Sequence, residues 1–547
     1  MGSSDPAFAV WHSEEHLMSF QRPKLLRSHS IGSDNTHPTW WKDKGLRRMS
    51  LHILFLYFCI FTFGYDGSLL SGLQAVPRWQ KDFHSPAGAT LGLISASFYL
   101  PKIITPWIAS WIADRYGRRI CLFIFCCVGV VGVFINTFAT GVGMLIAGRV
   151  VLGAGLGAQA TIAPPMVQEL CHPRMRAVAG GMWLVFFGIG GIVSSWLCFG
   201  MVGWDNSWAW RLPTLVQILG TLSVAIYIGC GFMAESPRWL VSKGRVDEAL
   251  QSLAKMHANG DVNDELVQHE LNEIKRGVEI DRQSNAGYSA LIQTPGNRRR
   301  LFVLMVIAAT GQINGAALVS YYLVPILKQV GITSSSQQAG VNGGLSIWGT
   351  LCIIVAAQFV ERLGRRPLWL TGAVGVLASF ILLAAFSGAY KTTGSASLGA
   401  AVIPWIFTFT AFNAVAWAAV ANLYVAEILP FGLRARGMSV YVCTQSCALA
   451  FNQYVNPIAL AAISWKYYFV YIGVQLCFLA FAWFFLVETK GYTIEEVSRL
   501  FDGGKDAANE VAAVAVAGAL EADVKDLSQT EEKQVEHFQE SVTVLRQ

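Results

Sequence analysis

The stretch IADRYGRR (112–119) recurs in altered form as VERLGRRP (360–367). In each stretch a carboxylate, Asp114 or Glu361, stands ahead of a glycine and two adjacent arginines. Each stretch also comes at the end of a long apolar run. Two copies of this charge pattern predict that the chain is built from two related halves.

Two further acidic positions repeat in the same order and support the duplication. Glu169, which is followed by arginines after the fourth apolar run, is matched by Glu427 after the tenth. Glu235 after the sixth run is matched by Glu488 after the twelfth. A chance charged loop could imitate one of these matches, but all of them together predict six segments in each half.

The apolar runs are long enough to cross a bilayer. Of the 547 residues, 53% are hydrophobic and 14% are charged, whereas soluble domains carry about a quarter charged residues. A helix needs roughly 20 apolar residues to span the hydrocarbon core. Spans 1 to 12 can be placed at 51–73, 91–113, 120–140, 143–168, 178–200, 212–233, 301–327, 340–361, 368–388, 400–427, 437–462 and 467–487. The sequence therefore predicts an all-α polytopic membrane protein with two six-helix halves.

Arginine and lysine are distributed unevenly between the loops. One set of alternate loops, which includes both termini and the connection 234–299, holds most of the positive charge. Because such loops stay on the cytoplasmic side, both termini and the central loop are predicted to be cytoplasmic. The predicted domains are a tail (1–49), an N-terminal half (50–233), a loop (234–299), a C-terminal half (300–490) and a second tail (491–547). Apolar residues at helical spacing in 244–280 predict short amphipathic helices within the loop.

Other classes of protein fit this composition poorly. The net charge of +6 comes without the aromatic and basic interleaving of a nucleic-acid-binding protein. The eleven cysteines lie almost all within apolar runs and show no metal-ligand spacing. No nucleophile–base set stands out, so we do not expect an enzyme. We expect a monomer in the lipid bilayer that handles a small-molecule solute and uses no cofactor or metal.

At these motifs the sequence resembles the major facilitator superfamily and, within it, the sugar porter family. The resemblance covers about 50–492 and rests on FGYDGSLLSG (63–72), DRYGRR (114–119), GRVVLGAGLG (148–157), ESPRWL (235–240), ERLGRR (361–366) and ETKG (488–491). WAWRLP (208–213) and FNQYVNPIAL (451–460) are most similar to the fungal lactose-permease-like and hexose-transporter-like members. The resemblance implies the twelve-helix fold, a plasma-membrane location and solute transport by alternating access, commonly as proton symport driven by the proton gradient.

Charged residues deep within a span are costly in lipid and are functional candidates for that reason. Asp66 in span 1 and Arg149 in span 4 each lie about six residues from the outer end of their span. At ~1.5 Å per residue the two share a depth, which allows them to pair. Such a pair either locks two helices together or binds and releases a proton when its surroundings change. The resemblance favours proton coupling.

The repeated charges at the cytoplasmic span ends are expected to form a salt-bridge latch. An arginine fork can bind a carboxylate through two parallel hydrogen bonds. Pairs that bridge the two halves would hold the cytoplasmic side shut and would break when it opens. The predicted latch residues are Asp114, Arg118, Arg119, Glu169, Arg174, Glu235 and Arg238 in the first half, and Glu361, Arg365, Arg366, Glu427, Arg434 and Glu488 in the second.

By analogy with the family, spans 7, 10 and 11 should supply the solute site, because each hydroxyl stripped of water needs a new partner. The candidates are Gln312, Asn314, Tyr321, Tyr322, Trp417, Asn422, Asn452 and Gln453. The amides could instead join helices, and the two tyrosines could form either an outer gate or an interfacial belt. Trp417 could stack on a sugar ring or simply pack. Positions that the family keeps polar are apolar here at Leu184, Gly191, Gly311 and Ala317.

Two other functions stay open at this stage. The lost polar positions would suit a less polar metabolite or a quinate-like acid, and transport could then be efflux. A transporter-like nutrient sensor is the third possibility. Its usual sign would be an unusually long signalling tail, and the C-terminal tail here is of moderate length.

Overall fold

Helices form almost all of the structure, as expected for segments that must satisfy their backbone hydrogen bonds within lipid. The computed structural model describes residues 36–37, 39–283, 288–418, 420–430, 433–491, 496–497 and 501. No β-strand occurs among these residues. Most of the two predicted tails falls outside them, and the first long helix begins at Lys44, ahead of the predicted boundary at residue 50.

The N-terminal half contains spans 1 to 6. Its helices are Lys44–Ala75 (span 1), Gly88–Ser97 and Thr105–Tyr116 (span 2), Arg118–Thr137 (span 3), Val142–Leu170 (span 4), Arg176–Met201 (span 5), and Trp208–Val216 with Ile218–Gly229 (span 6). A short helix, Pro77–Asp82, follows span 1. The described part of the central loop forms the helices Pro237–Ser242, Val246–His257, Glu265–Gln283 and Ala290–Gln293.

The C-terminal half contains spans 7 to 12. Its helices are Pro295–Ile313, Ala316–Tyr321 and Leu323–Gln329 (span 7), Ser335–Leu363 (span 8), Arg365–Thr393 (span 9), Val402–Asn413 and Ala421–Ile428 around the π-helical turn Ala414–Ala418 (span 10), Arg434–Ile463 (span 11) and Tyr468–Phe485 (span 12). The short helix Ala396–Ala400 precedes span 10.

Ten segments of the described chain are long and apolar enough to cross a membrane. One of them, Arg436–Phe485, includes both span 11 and span 12. Span 2 is absent from the ten because it is broken into two shorter helices, of which Gly88–Ser97 is apolar. All twelve predicted spans are therefore helical.

Spans 2, 7 and 10 are interrupted, and the interruptions have local causes. Span 2 passes through the 3-10 helix Leu100–Ile103, which contains Pro101, and proline cannot donate a backbone hydrogen bond. Span 7 breaks at Gly315, whose φ of 97° is in the left-handed region. Span 10 widens into its π-helical turn, a feature frequent at functional sites. The candidate site residues lie beside these breaks.

The two halves touch near the ends of the spans that are remote from the repeated arginines. Span 2 packs on span 11, and span 5 packs on span 8. Gly92 permits the first contact, because an added Cβ there would lie 2.5 Å from the backbone oxygen of Tyr454. Ser195 and Ser346 join the second contact through a 2.9 Å hydroxyl–hydroxyl hydrogen bond. We call this end of the bundle the far end, and the end that carries the repeated arginines the basic end.

The central loop is packed onto the basic end of span 1. Asp43 caps that helix by accepting hydrogen bonds from the backbone nitrogens of Gly45 and Leu46, at 3.0 and 3.1 Å. Asn259 of the loop donates to Asp43 at 3.1 Å and accepts from the Gly45 nitrogen at 2.7 Å. An added Cβ on Gly45 would lie 2.8 Å from the backbone oxygen of Met256. The loop helices are thus tied to the N-terminal half.

Candidate functional site

Glycine turns at the basic end place carboxylates at helix N-termini. Gly117 adopts a φ of 105° and Gly364 a φ of 93°, a region that residues with a Cβ rarely visit. At the first turn the Glu235 carboxylate accepts hydrogen bonds of 3.0 to 3.3 Å from the backbone nitrogens of Arg118 and Arg119. It thereby pairs donors that a helix leaves unsatisfied and interacts favourably with the helix dipole. Burial raises the pKa of Glu235, and these backbone donors oppose the rise.

The second turn repeats this arrangement. Glu488 accepts hydrogen bonds from the backbone nitrogens of Arg365 and Arg366, both at 2.9 Å. The Arg365 guanidinium binds Glu427 through two contacts, from Nη2 to Oε1 at 2.7 Å and from Nε to Oε2 at 3.2 Å. Thr489 donates its hydroxyl to the same Glu427 carboxylate. These bonds fasten span 9, span 10 and the end of span 12 together.

The N-terminal half has a counterpart of each contact, with a looser ion pair. Arg118 Nε lies 3.8 Å from Glu169 Oε2, and Ser236 donates its hydroxyl to the same carboxylate. Ser236 and Thr489 each follow directly after the capping glutamate in the sequence. Sequence reasoning overlooked both hydroxyls, although the shared order of glutamate and hydroxyl residue in ESPRWL and ETKG is a signal that could have found them.

These ion pairs differ from the predicted bridge between the halves. Arg118 and Glu169 both belong to the N-terminal half, and Arg365 and Glu427 both belong to the C-terminal half. Each arginine starts a helix that packs directly on the glutamate-bearing span of its own half, span 3 on span 4 and span 9 on span 10. The nearest carboxylate is therefore in the same half.

The other predicted latch residues in the first half are arranged less regularly. The side chain of Asp114 is 77% exposed, with Oδ1 3.4 Å from Arg118 Nη1. Arg174 donates to a backbone oxygen ahead of span 1 at 3.2 Å. The neighbouring Arg176, rather than Arg174, forms the ion pair with Glu270 of the loop, at 3.0 Å. The loop is therefore joined to the start of span 5 by a residue outside the predicted set.

The other predicted arginines lie at helix ends or on the loop. Arg119 donates to the backbone oxygen of Met233 at 3.4 Å, and Arg366 donates to that of Trp483 at 2.8 Å. Arg238 Nη2 lies 3.6 Å from the position that a Cβ on Gly277 of the loop would take, and Arg434 begins the helix of span 11. The side chain of Glu361 lies outside the part of the chain that the structure describes.

A buried histidine–glutamate pair also ties the loop to span 4. His257 Nδ1 is hydrogen-bonded to Glu270 Oε2, and these side chains are 0% and 3% exposed. His257 Nε2 lies 3.2 Å from the backbone oxygen of Leu170. The His257 ring packs edge to face against His172, with centroids 5.2 Å apart. Burial and the neighbouring His257 lower the pKa of His172 to about 4.

Asp66 and Arg149 lie together in the N-terminal half. Arg149 Nη2 is 3.6 Å from Asp66 Oδ2, and the two side chains are 5% and 1% exposed. Gln217 of span 6, which sequence reasoning did not single out, donates its amide to Asp66 Oδ1 at 3.2 Å. The Arg149 guanidinium lies 5.2 Å from the centre of the Phe98 ring. A charge-assisted hydrogen bond is usually 2.7 to 2.9 Å long, so at 3.6 Å this pair leaves Asp66 Oδ2 without a hydrogen-bond partner among the described residues.

Lys102 is a third charged side chain beside this pair, and sequence reasoning missed it. It lies in the broken segment of span 2 and is 6% exposed. Its Nζ lies 3.6, 3.8 and 4.6 Å from the ring centres of Phe98, Phe63 and Tyr99. Nζ has no hydrogen-bond partner among the described residues. Gly157 of span 4 makes room for the side chain, because an added Cβ would lie 2.8 Å from Lys102 Cγ. The signal was a lysine after a proline inside an apolar run.

The C-terminal half holds an uncharged polar network. Asn452 donates to the backbone oxygen of Gln312 at 2.6 Å and accepts from the Tyr471 hydroxyl at 3.2 Å. Asn456, one turn further along span 11, accepts from the hydroxyls of Tyr467, at 2.9 Å, and Tyr471. Span 11 is thus joined to span 7 and span 12 by buried hydrogen bonds, and Asn452 has a structural role within this network.

The Asn314 side chain is hydrogen-bonded to other residues of the protein, whereas the sequence predicted that it binds the solute. Its Oδ1 accepts from the backbone nitrogen of Ala316 at 2.9 Å, and its Nδ2 donates to Asn413 Oδ1 at 2.8 Å. The side chain is fully buried. These bonds stabilise the break in span 7 and join it to span 10, so both polar groups of Asn314 are already paired.

Trp417 packs against other rings. Its ring centre lies 4.6 Å from that of Trp369 and 4.6 Å from that of Phe478. It also covers Gly311, where an added Cβ would lie 3.2 Å from Trp417 Cε3. This contact explains why glycine occupies a position that the family keeps as glutamine. Trp417 therefore lines span 7 without the exposed face that stacking on a sugar requires.

The two adjacent tyrosines of span 7 point to different partners. The Tyr99 hydroxyl of span 2 donates to the Tyr321 hydroxyl, and Gln74 of span 1 donates to the Tyr321 backbone oxygen at 2.9 Å. Tyr322 is fully buried and donates to the backbone oxygen of Gln453 at 2.6 Å. Tyr321 therefore joins the two halves near the far end, whereas Tyr322 holds span 7 against span 11.

Three candidates keep free polar groups. Gln453 is fully buried, and neither polar atom of its amide has a hydrogen-bond partner among the described residues. An unpaired buried polar group costs about 1 to 3 kcal/mol, which a bound solute would offset. Gln312 is half-buried and Asn422 is exposed.

Comparison with known proteins agrees with this arrangement. The family model for sugar (and other) transporters matches residues 53–501. The chain is 28% identical over 460 residues to High-affinity glucose transporter 1 of Candida albicans, which covers 80% of this chain and 83% of that protein. It is 30% identical over 449 residues to the major myo-inositol transporter IolT of Bacillus subtilis, which covers 80% of this chain and 91% of that protein.

Solved structures of the xylose transporter XylE from E. coli share the fold. A partially occluded inward-open form has a TM-score of 0.68 at 20% identity and covers 82% of this chain and 100% of that chain. A second, described as the proton:xylose symporter XylE, has a TM-score of 0.66 at 21% identity and covers 83% and 99%. The predicted twelve-helix fold is confirmed. The chain belongs to the sugar porter family of the major facilitator superfamily.

Proposed function

We propose that this protein carries a sugar or sugar-like solute across the plasma membrane together with a proton, by alternating access. The buried pair of Asp66 and Arg149 is the observation that supports proton coupling most directly. Intramembrane ionisable residues that pair with each other commonly mark proton pathways. XylE, which shares the fold, is itself described as a proton symporter.

Asp66 is the proposed proton acceptor, and Arg149 is the cation that competes with the proton. While Asp66 is ionised, its attraction to Arg149 holds span 1 to span 4. A proton on Asp66 removes that attraction, so the relative free energies of the two transport states change. A ligand shifts a conformational equilibrium only through such a difference in binding between states. Gln217 keeps the carboxyl group in place in both protonation states, because it can donate to either form.

The proposed solute site lies between the halves and uses the free amides of Gln312, Gln453 and Asn422. A polyhydroxylated ring requires many donors and acceptors once it leaves water. The glucose and myo-inositol transporters among the relatives are named for solutes of this kind. Asn314 and Asn452 position the backbone of span 7, and Tyr321 closes the path at the far end through its bond to Tyr99.

The charge clusters are proposed to act at the cytoplasmic side. Positive residues concentrate at the basic end, which favours its cytoplasmic orientation with both termini. The far end then faces outward and is closed in this conformation. Arg118 and Arg365, now paired within their halves, would meet the opposite half when the basic end closes. We expect the protein to work as a monomer.

Uptake of labelled solutes into cells that lack endogenous sugar transporters tests this proposal. Glucose, xylose, lactose, myo-inositol and the sugar-like acid glucuronate should be assayed with and without a protonophore. At least one of them should accumulate against its gradient, and the protonophore should abolish the accumulation. Absence of any sugar or polyol uptake, together with altered retention of an apolar metabolite, would contradict the proposal and favour export of a less polar compound.

A further inference from the structure

A protonated Lys102 gives the buried charge cluster an excess positive charge. The charged side chains in this part of the N-terminal half are Asp66 of span 1, Arg149 of span 4 and Lys102 of span 2, and Arg149 and Lys102 both lie against the Phe98 ring. The other polar groups that face the cluster, Gln217 of span 6 and the Tyr99–Tyr321 hydroxyl pair, are uncharged. With Asp66 ionised, two cations are therefore balanced by one carboxylate.

The aromatic rings around Lys102 compensate only part of this charge. Phe63, Phe98 and Tyr99 present ring faces to Nζ at 3.6 to 4.6 Å, and such cation–π contacts stabilise a desolvated ammonium. They offset only part of the cost of burying a charge without a counterion. Binding of an anion beside Lys102 would therefore lower the free energy of this cluster.

The cage around Lys102 borders the path between the halves. Phe98 and Tyr99 form an apolar cluster with Tyr321 and with Leu449 and Ala450 of span 11 in the opposite half. The Tyr99 hydroxyl is bonded to Tyr321. The rings of Phe98 and Tyr99 thus contact both the Lys102 ammonium and residues of the opposite half.

We propose that the transported solute is a sugar acid, and that the Lys102 ammonium binds its carboxylate. This assignment rests on the proposed transport function and specifies its substrate class. The uncharged amides of Gln312 and Gln453 in the C-terminal half suit the hydroxyls of such a solute, and Lys102 in the N-terminal half suits its carboxylate. One solute can then contact both halves, as alternating access requires.

The charge balance links the solute to the proton. Without solute, ionised Asp66, Arg149 and Lys102 sum to one positive charge. A proton on Asp66 adds one positive charge, and a bound carboxylate removes one. The loaded cluster therefore carries the same charge as the empty one, and the anion and the proton cross together without net charge. A neutral sugar carried with a proton would instead move one positive charge per cycle.

Glucose and glucuronate form a matched pair of probes, because the CH2OH group of glucose is replaced by a carboxylate group in glucuronate and the other carbons are the same. Purified protein in liposomes should take up labelled glucuronate when only a pH gradient is applied. A membrane potential set by potassium and valinomycin, without a pH gradient, should not drive that uptake. Unlabelled glucuronate should inhibit more strongly than unlabelled glucose.

Variants at one position test the role of Lys102. Lys102→Met should lower glucuronate uptake on the order of ten- to a hundredfold, the loss expected for a hydrogen bond to a charged group, while any glucose uptake changes far less. Lys102→Arg retains the charge and should retain most glucuronate uptake. Lys328→Met, at an exposed lysine of span 7, is the control. Retained glucose transport or melting temperature shows that a variant is folded.

The outcomes separate this inference from the function on which it rests. Proton-driven glucose uptake that glucuronate neither shares nor inhibits would overturn the sugar-acid assignment and leave the proposed transporter intact. Glucuronate uptake that survives in folded Lys102→Met would overturn the role of Lys102. Glucuronate uptake driven by membrane potential alone would overturn the charge balance. No proton-driven uptake of any sugar, polyol or sugar acid would overturn the proposed function itself.

Discussion

Arg365 and Glu427 form a two-point ion pair in which the arginine is only 6% exposed. The matching pair of the other half, Arg118 and Glu169, has one contact at 3.8 Å. The duplicated halves therefore share one pattern of contacts, and the ion pair is shorter in the C-terminal half. The C-terminal cluster should consequently be the more sensitive of the two to loss of a charge.

Glu427→Gln should destabilise the protein by about 2 kcal/mol, because it removes the charge of the carboxylate that binds the buried Arg365 guanidinium at two points. The melting temperature in detergent measures the change. Asp114→Asn is the matched control, since that carboxylate is 77% exposed and an exposed pair contributes less than about 1 kcal/mol. Equal melting temperatures for the two variants would show that the buried pair contributes no more to stability than the exposed pair.

The same Glu427→Gln variant should slow transport while solute binding stays nearly intact. The charge cluster lies at the basic end, away from the proposed solute site, so it acts on the change of state rather than on the solute. Solute affinity and uptake rate should be measured on one preparation. A loss of affinity equal to the loss of rate would rule out a gating role.

Gly117→Ala should destabilise the protein more than Gly244→Ala. Both glycines have positive φ values, 105° and 78°, which a residue with a Cβ adopts at a cost. Gly117 also has a ψ of 157°, in a region that is almost restricted to glycine. At Gly117 the new Cβ would also lie 2.4 Å from Glu235 Oε2, whereas at Gly244 nothing lies within 4 Å. Melting temperatures compare the two, and an equal drop would contradict the close approach of Glu235 to the turn.

Tyr99→Phe and Tyr321→Phe should each favour opening at the far end. Their hydroxyl bond joins the halves there, and a net hydrogen bond of about 1 kcal/mol corresponds to a roughly fivefold shift in populations. Distances between spin labels on the far-end loops report the populations. Tyr467→Phe removes a bond within one half and is the control. A shift in Tyr467→Phe as large as in Tyr321→Phe would refute the bridging role.

Acid should weaken the attachment of the loop through His172. Burial and His257 lower its pKa in the folded protein to about 4, whereas unfolded histidine titrates near 6.5. The unfolded chain therefore binds the proton first as the pH falls. The free energy of unfolding should be constant above pH 6.5 and decrease by up to about 3 kcal/mol between pH 6.5 and 4.

Melting temperatures at pH 7.5 and 5.0 test this dependence. His172→Gln should have a smaller difference between the two values than the unmodified protein. His269→Gln, at an exposed histidine of the same loop, should keep the full difference. An unchanged difference in His172→Gln would assign the acid sensitivity to another group.

The sequence predicts the spans and the repeated charges well because both depend on local pattern. Apolar length decides whether a segment crosses the bilayer, and the depths of Asp66 and Arg149 follow from counting along two helices. The Glu235 and Glu488 positions were identified, but their backbone partners were not. Helix capping depends on where the end of another span arrives, which a single sequence does not encode directly.

Contacts between helices account for the side-chain positions that the sequence did not predict. The sequence did not single out Lys102, because the cage of Phe63, Phe98 and Tyr99 forms only after spans 1 and 2 pack. Asn314 lies near, but not at, the position where the family has asparagine, and Trp417 could stack on a sugar or pack. A helix break and a neighbouring glycine turn both side chains toward other residues of the protein. Side-chain roles at such breaks follow from tertiary packing.

Asp66→Asn tests the central claim most directly. The substitution keeps the size of the side chain and removes the group that takes the proton. Accumulation of labelled solute in response to a pH gradient should be abolished, while exchange of labelled for unlabelled solute across the same membrane continues. Accumulation driven by the pH gradient at the unmodified rate would contradict proton coupling through Asp66.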